Sequence, residues 1–512
     1  MRTELAPDAR TMARGAAVNV VGALTTTALS FALSLLITHE IRASPFGLYS
    51  LALVMVLLAQ VLATLGVDVG AVRFVALSAS RGDEEGARGA LQGAFAVVAS
   101  FSWALALLMY RSAPWLTESF FQKPGAAHLV RLIALSLPAL ALTRVAIGAL
   151  QGLGMMRYAA LLSPVRVALN IAVAAPVLLL GYGADGLALA FVTTSWATLF
   201  VSATLLTRAL PGAFRPTLRH WRLGALMTFS VPQTLTTLLL QTILWTDTVL
   251  VGRLRPAAEV AVYWIVQRLL SPAQTVSTAT GQMFAPRIAT EHARGDVATL
   301  GMMLKRVTYW NVSMAIPVFG LLLLVPGPLL ALFGATYTAG ATALAILAAG
   351  QIFNAATGPL GQMINMSGRP YVTLANNCAV AALNIVGCLV LIPRYGITGA
   401  ACSTTGAITL VNLIKLAQVR MLFGINPFRP ETLRALGAGA VAVLVALPLV
   451  VLIAWPSALV EVLAAALVLV PVYGVLYWLT AAGDEEKELL RLRGRLLVAP
   501  ATEPPPVSPV GS

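Results

Sequence analysis

Charge is scarce in this chain, and negative charge scarcer still. Only 11% of its 512 residues are charged, with 20 acids against 34 bases. Soluble domains carry roughly a quarter charged residues, so an ordinary soluble globule of this size is excluded. Cysteine is nearly absent. Cys378, Cys388 and Cys402 show no metal-ligand spacing and read as small buried residues. The four histidines, His39, His128, His220 and His292, fall in separate polar hinges and make no metal cluster. No GxxxxGK[ST] loop is present, which removes nucleotide hydrolysis by that device. The hinges are short, at most about 20 residues, and those expected on the outer side are nearly free of acids. Catalytic acids on a large outer loop, as a membrane-embedded glycosyltransferase or polymerase displays, are therefore missing. We find no catalytic constellation and no cofactor site, and we expect no enzyme.

What the chain has in abundance is apolar length. Mean hydropathy is +0.85, and fourteen stretches of about 20 apolar residues alternate with polar hinges. A ~30 Å hydrocarbon core needs ~20 helical residues at 1.5 Å each, so every stretch is long enough to span. The first four run over residues 15–38, 46–70, 91–110 and 132–150; the last two run over 433–454 and 458–479. The expected fold is all-α, a polytopic membrane protein with fourteen transmembrane helices.

An internal duplication organises the chain. Arg81-Gly82-Asp83 recurs as Arg294-Gly295-Asp296, a shift of 213 residues, and at that shift Tyr182-Gly183 meets Tyr395-Gly396. Six spans per unit predict two lobes of the same orientation, related by an axis along the membrane normal. The expected division is an N-terminal six-helix lobe (1–210), a basic linker (211–222), a C-terminal six-helix lobe (223–425), two extra spans (426–480), and a tail (481–512). In the tail, Leu489, Leu490, Leu492, Leu496 and Leu497 fall on one helical face with arginines between them, a pattern for a surface-lying amphipathic helix. A disordered Pro-rich end follows.

The net charge of +14 would suggest nucleic acid in a soluble protein, but its distribution points to orientation instead. About 23 of the basic residues fall on the side of the termini and about 7 on the other. Short loops rich in Lys and Arg stay cytoplasmic, so both termini are expected inside, with anionic lipids as neighbours and no nucleic-acid partner.

Polar groups inside spans are costly, and such groups usually face a cavity. Arg166 lies about eight residues, ~12 Å, into its span; Arg144 sits at nearly the same depth, and Arg268 near the middle of the eighth span. These three are the candidate cavity charges, with snorkelling to the surface as the alternative. Asp247 is a candidate counter-ion to Arg268 or an ion-coupling site. Amides are dense in the second half: Gln274, Asn311, Gln351, Asn354 and Asn384 among them. Pro138, Pro164, Pro176, Pro272 and Pro317 are expected to interrupt helices.

Several stretches resemble a known family. They include Pro45-Phe46-Gly47-Leu48-Tyr49-Ser50, Gly66 with Arg73, Trp245-Thr246-Asp247 through Val251-Gly252, and Phe333-Gly334-Ala335-Thr336-Tyr337. The clearest is Asn384-Ile385 followed by Leu391-Ile392-Pro393-Arg394-Tyr395-Gly396-Ile397-Thr398-Gly399. In order and spacing, over about residues 12–425, they resemble the bacterial polysaccharide (O-antigen type) flippases of the multidrug/oligosaccharidyl-lipid/polysaccharide exporter superfamily. That resemblance implies two six-helix lobes around a central cavity, alternating access, a substrate of polyprenyl-pyrophosphate-linked oligosaccharide, a cell-membrane location, and partnership with glycan polymerase or export machinery. The phosphates of such a carrier need cationic partners. Two relatives within the superfamily are alternatives: the lipid II flippases, from which this chain departs in lacking first-span arginines beyond Arg14, and the drug or cation antiporters, from which it departs in lacking a first-span carboxylate.

Overall fold

Residues 5–215, 221 and 223–482 are described by the computed structural model, and side-chain surroundings from residue 21 onward except at 236, 240, 273, 275–283, 285, 286, 289 and 370. The tail helix and Pro-rich end expected at 483–512, and linker residues 216–220 and 222, lie outside the described residues. Helices follow one another without a strand among the described residues. The N-terminal half is α1 (Leu5–Glu40), α2 (Ala43–Thr64), α3 (Val67–Ala79), α4 (Glu84–Pro114), α5 (Ala127–Ala134), α6 (Leu137–Gly152), α7 (Met156–Leu179) and α8 (Gly183–Ala209). The second half is α9 (Leu223–Leu254), α10 (Ala257–Ala293), α11 (Val297–Leu324), α12 (Pro326–Ala331), α13 (Ala341–Thr357), α14 (Leu360–Met366) and α15 (Pro370–Phe423), followed by α16 (Pro430–Leu452) and α17 (Ala458–Leu476).

The chain is a multi-pass membrane protein. Ten helical stretches are long and apolar enough to cross a bilayer, twelve if two bent pairs are each one span. Large apolar side chains face outward along these helices, including Leu179, Phe200, Leu452 and Leu467. The expected count of fourteen is higher, and it differs at two places. α10, with Gln267, Arg268, Ser271 and Gln274 in mid-helix, is not among the ten, and α15 counts once although it doubles back. At Gly396 (φ 59°, ψ −139°) the α15 backbone leaves helical geometry, and its two arms meet where Ser403 Oγ donates to the Asn384 carbonyl at 2.9 Å.

Most of the five prolines expected to interrupt helices do not. Pro164, Pro176 and Pro317 sit inside continuous helices, since neighbouring helices tolerate the freed carbonyl in a membrane bundle. Pro138 alone of the five opens a helix at a break, where α5 and α6 bend by 44°. The expected second span breaks instead at Leu65 and Gly66, both left-handed at φ 49° and 65°. The break lets Gly66 lie against the backbone of α9, where a Cβ would come within 2.3 Å of the Ser230 carbonyl oxygen.

Small residues set the close helix contacts, as expected where lipid gives no hydrophobic drive between helices. Gly148 and Gly152 bring α6 onto the backbone of α3 at Asp68 and Val72, and Gly47 brings α2 onto α10 at Ala257. The two Arg-Gly-Asp turns have the same geometry. Gly82 and Gly295 are left-handed. Asp83 then caps α4 by accepting from Gly86 N at 2.8 Å, and Asp296 caps α11 by accepting from Thr299 N at 2.9 Å. The Thr299 hydroxyl, donating at 2.6 Å, together with that N–H, holds the Asp296 carboxyl below its ordinary pKa.

Candidate functional site

Two polar cavities open inside the bundle, one in each half. The smaller, about 380 Å³, is lined by α2, α3, α6, α7 and α8, with Gln60, Asp68, Arg144, Gln151, Arg166 and Ser195 among its walls. The larger, about 630 Å³, is lined by α9, α10, α11, α13, α14 and α15, and includes Asp247, Gln267, Arg268, Asn354, Gln362 and Asn384. They share no lining residue.

Of the three candidate arginines, Arg144 and Arg166 line the smaller cavity and Arg268 lines the larger. Arg144 reaches Asp68 on α3 at 3.5 Å, a loose pair with half of the arginine side chain exposed. Arg166 lies within electrostatic range of Arg144 on one side and of Arg268, across the seam between the halves, on the other. Tyr49, almost wholly buried on α2, interacts with both Arg166 and Arg268. Arg268 sets its guanidinium 5.5 Å from the Trp264 ring centroid. Among the described residues, neither Arg166 nor Arg268 has a carboxylate within ion-pair distance.

Asp247 corrects one expectation. It does not pair with Arg268. Its carboxylate accepts from the Tyr263 hydroxyl at 2.7 Å, the Gln267 amide at 2.8 Å, the Thr248 N–H at 2.7 Å and the Thr404 hydroxyl at 3.4 Å. Charge-assisted bonds of this kind satisfy a buried carboxylate without a cation. Sequence reasoning passed over Gln267, Tyr263 and Thr404. Gln267 and Tyr263 lie one helical turn apart on α10, a signal readable once Asp247 is in question; Thr404 comes from the second arm of α15 and has no local signal.

At the ends of the seam, the halves touch through paired stacking contacts. Arg73 of α3 sits 4.5 Å from the Phe229 ring of α9. Arg253 at the end of α9 sits 5.6 Å from the ring of Phe120, just past α4. Nearby, partial burial and Arg253 push the Lys123 ammonium below its usual pKa.

Comparison with known proteins follows from these features. A family model described as "Polysaccharide biosynthesis protein" matches residues 12–292, and a second, MatE, matches residues 232–390. No curated protein matches. Among solved structures, the chain is similar to the lipid II flippase MurJ in an inward closed conformation, with a TM-score of 0.72 and 15% identity over 92% of this chain and 99% of that one. It is similar to a MOP superfamily transporter from Pyrococcus furiosus, with a TM-score of 0.57 and 17% identity over 81% of this chain and 95% of that one. An inward-facing multidrug resistance MATE family transporter of the MOP superfamily matches with a TM-score of 0.58 and 16% identity over 80% and 98%. At these identities the likeness is one of fold.

Proposed function

Since the chain belongs to the polysaccharide biosynthesis protein family, we propose that it is a flippase that moves a polyprenyl-pyrophosphate-linked oligosaccharide from the inner to the outer leaflet of the bacterial cell membrane. The observation that carries this reading is that each half lines its cavity with an embedded arginine, Arg166 in one and Arg268 in the other, neither with a carboxylate partner among the described residues. A diphosphate carries enough charge to engage both. Each guanidinium offers a planar fork of donors to phosphate oxygens. Bound there, the anion ties the N-terminal helices (1–210) to the C-terminal ones (223–425), and rocking of the two lobes about it gives alternating access, with both termini cytoplasmic. Arg144, partly neutralised by Asp68, adds attraction along the way in.

The reading is tested in proteoliposomes loaded with lipid-linked oligosaccharide. Arg166→Ala and Arg268→Ala are each expected to abolish translocation while insertion and abundance stay near wild type. Arg→Lys at either retains part of the rate, because charge survives and bidentate geometry is lost. Unchanged translocation in both alanine variants would mean that the arginines only snorkel.

A further inference from the structure

Trp245 and Trp264 stack in the larger cavity, with ring centroids 5.7 Å apart and planes within 19°. Trp264 is almost fully buried and carries Arg268 beside its ring, whereas Trp245 is half-buried. An indole ring that lines a cavity of about 630 Å³ is within the size range of small-ligand sites and offers an apolar platform. Around it the polar lining is made of amides and hydroxyls, with Arg268 and Asp247 as the ionisable side chains. Amides both donate and accept, as sugar hydroxyls do. Two buried lining groups have no partner among the described residues: the Trp245 Nε1 donor and the Gln362 Oε1 acceptor. Buried polar atoms without partners are exceptions that ask for a ligand. A hydroxyl, donor and acceptor at once, answers either. The smaller cavity has the opposite character: two arginines, one carboxylate and no aromatic side chain in its walls.

We propose that the larger cavity is the subsite for the first sugars of the glycan, with Trp245 as the stacking platform, and that it selects a neutral sugar chain. This rests on the reading of the chain as a carrier of lipid-linked glycan. The first sugar of such a molecule is bonded directly to the diphosphate. A diphosphate held at Arg268 therefore delivers that sugar to the Trp264–Trp245 stack, 5.5 Å from the guanidinium at its near side. A uronic acid would meet the Asp247 carboxylate in the same cavity, with Arg268 already engaged by phosphate. Like charges without compensation discriminate against it.

Equilibrium binding to the full-length protein in nanodiscs separates the possibilities. Three probes are compared: bare polyprenyl pyrophosphate, the same carrier with a neutral hexose trisaccharide, and the carrier with a uronic-acid-containing trisaccharide. Wild type is expected to bind the neutral conjugate at least about tenfold more tightly than the bare carrier, and the acidic conjugate no more tightly than the bare carrier. Trp245→Ala removes the advantage of the neutral glycan and leaves the affinity for bare carrier unchanged, whereas Arg166→Ala weakens all three. Trp245→Phe, which keeps a ring, retains part of the advantage, and together with Gln362→Ala it decides the matter should Trp245→Ala not fold. Equal affinity of wild type for neutral conjugate and bare carrier, or an advantage that survives every one of these substitutions, overturns the subsite. A preference for the acidic conjugate overturns the neutrality. Failure of wild type to bind bare carrier, or indifference of that binding to Arg166→Ala, defeats the underlying carrier reading instead.

Discussion

Four donors converge on the Asp247 carboxylate, and none of them is an arginine. That arrangement separates its two candidate roles. A counter-ion to Arg268 would be rescued by removing the arginine, because an unpaired buried charge is worse than none. Asp247 has its hydrogen bonds from Tyr263, Gln267, Thr248 and Thr404 instead, so the two side chains are independent. In a double-mutant cycle of Asp247→Asn and Arg268→Gln, read by thermal unfolding in detergent, the expected coupling is below about 0.5 kcal/mol. Coupling well above that would restore the counter-ion. A coupling-site role predicts further that Asp247→Asn reaches normal abundance and loses only gradient-dependent translocation, measured in proteoliposomes with and without an imposed proton or sodium gradient.

Among the elements, the α15 hairpin and the α8 start make a natural comparison. Gly183 and Gly396 occupy matching places in the repeat, each after a tyrosine, with φ of 57° and 59°. Their surroundings differ. A Cβ at Gly183 meets open space, while one at Gly396 comes within 3.0 Å of Glu259 Oε2 and 3.3 Å of the Arg255 guanidinium. Those two residues are locked in a bidentate pair at 2.8 and 2.9 Å. Gly183→Ala therefore costs the positive-φ backbone, about 1–2 kcal/mol, and Gly396→Ala, at φ 59° and ψ −139°, meets a harsher backbone and also displaces the ion pair, for about 2–3 kcal/mol or more in all. Thermal unfolding of the two variants checks the order. Equal losses would mean that the hairpin tip is not held by Arg255 and Glu259.

Across the whole molecule, the basic residues predict orientation, and the packing supplies a place to test it. Gln92 on α4 donates to the carbonyls of Ala213 and Arg215, tying the start of the linker to the bundle. Positive loops stay inside, so Arg215→Cys in a background lacking Cys378, Cys388 and Cys402 is expected to resist a membrane-impermeant thiol reagent in intact cells and to react after permeabilisation. Labelling from outside would reverse the topology. The removal of native cysteines matters because Cys378 and Cys402 are exposed in the structure. The same topology puts both Arg-Gly-Asp turns on the cytoplasmic side.

Membrane residence, helical class and family were legible in the chain itself. They depend on local quantities: apolar length against bilayer thickness, turn residues at fixed offsets, and short motifs in order. The embedded arginines were legible for the same reason, since a charge in a 20-residue apolar run is conspicuous wherever the run packs. Their arrangement was not. Arg166 and Arg268 stand 102 positions apart in the sequence, and only the packing of α2 against both halves sets Tyr49 within the field of each. Likewise, Asp247 had a plausible partner one helix away, yet tertiary structure surrounded it with Tyr263, Gln267 and Thr404. The break at Leu65–Gly66 is a further case. Leucine carries no warning of a left-handed turn, and that conformation persists because Gly66 must approach the Ser230 carbonyl of α9. Sequence determined what must be buried in lipid and which charges resist it; tertiary packing alone decided which polar groups meet, because hydrogen bonds and cavities join residues that no local pattern connects.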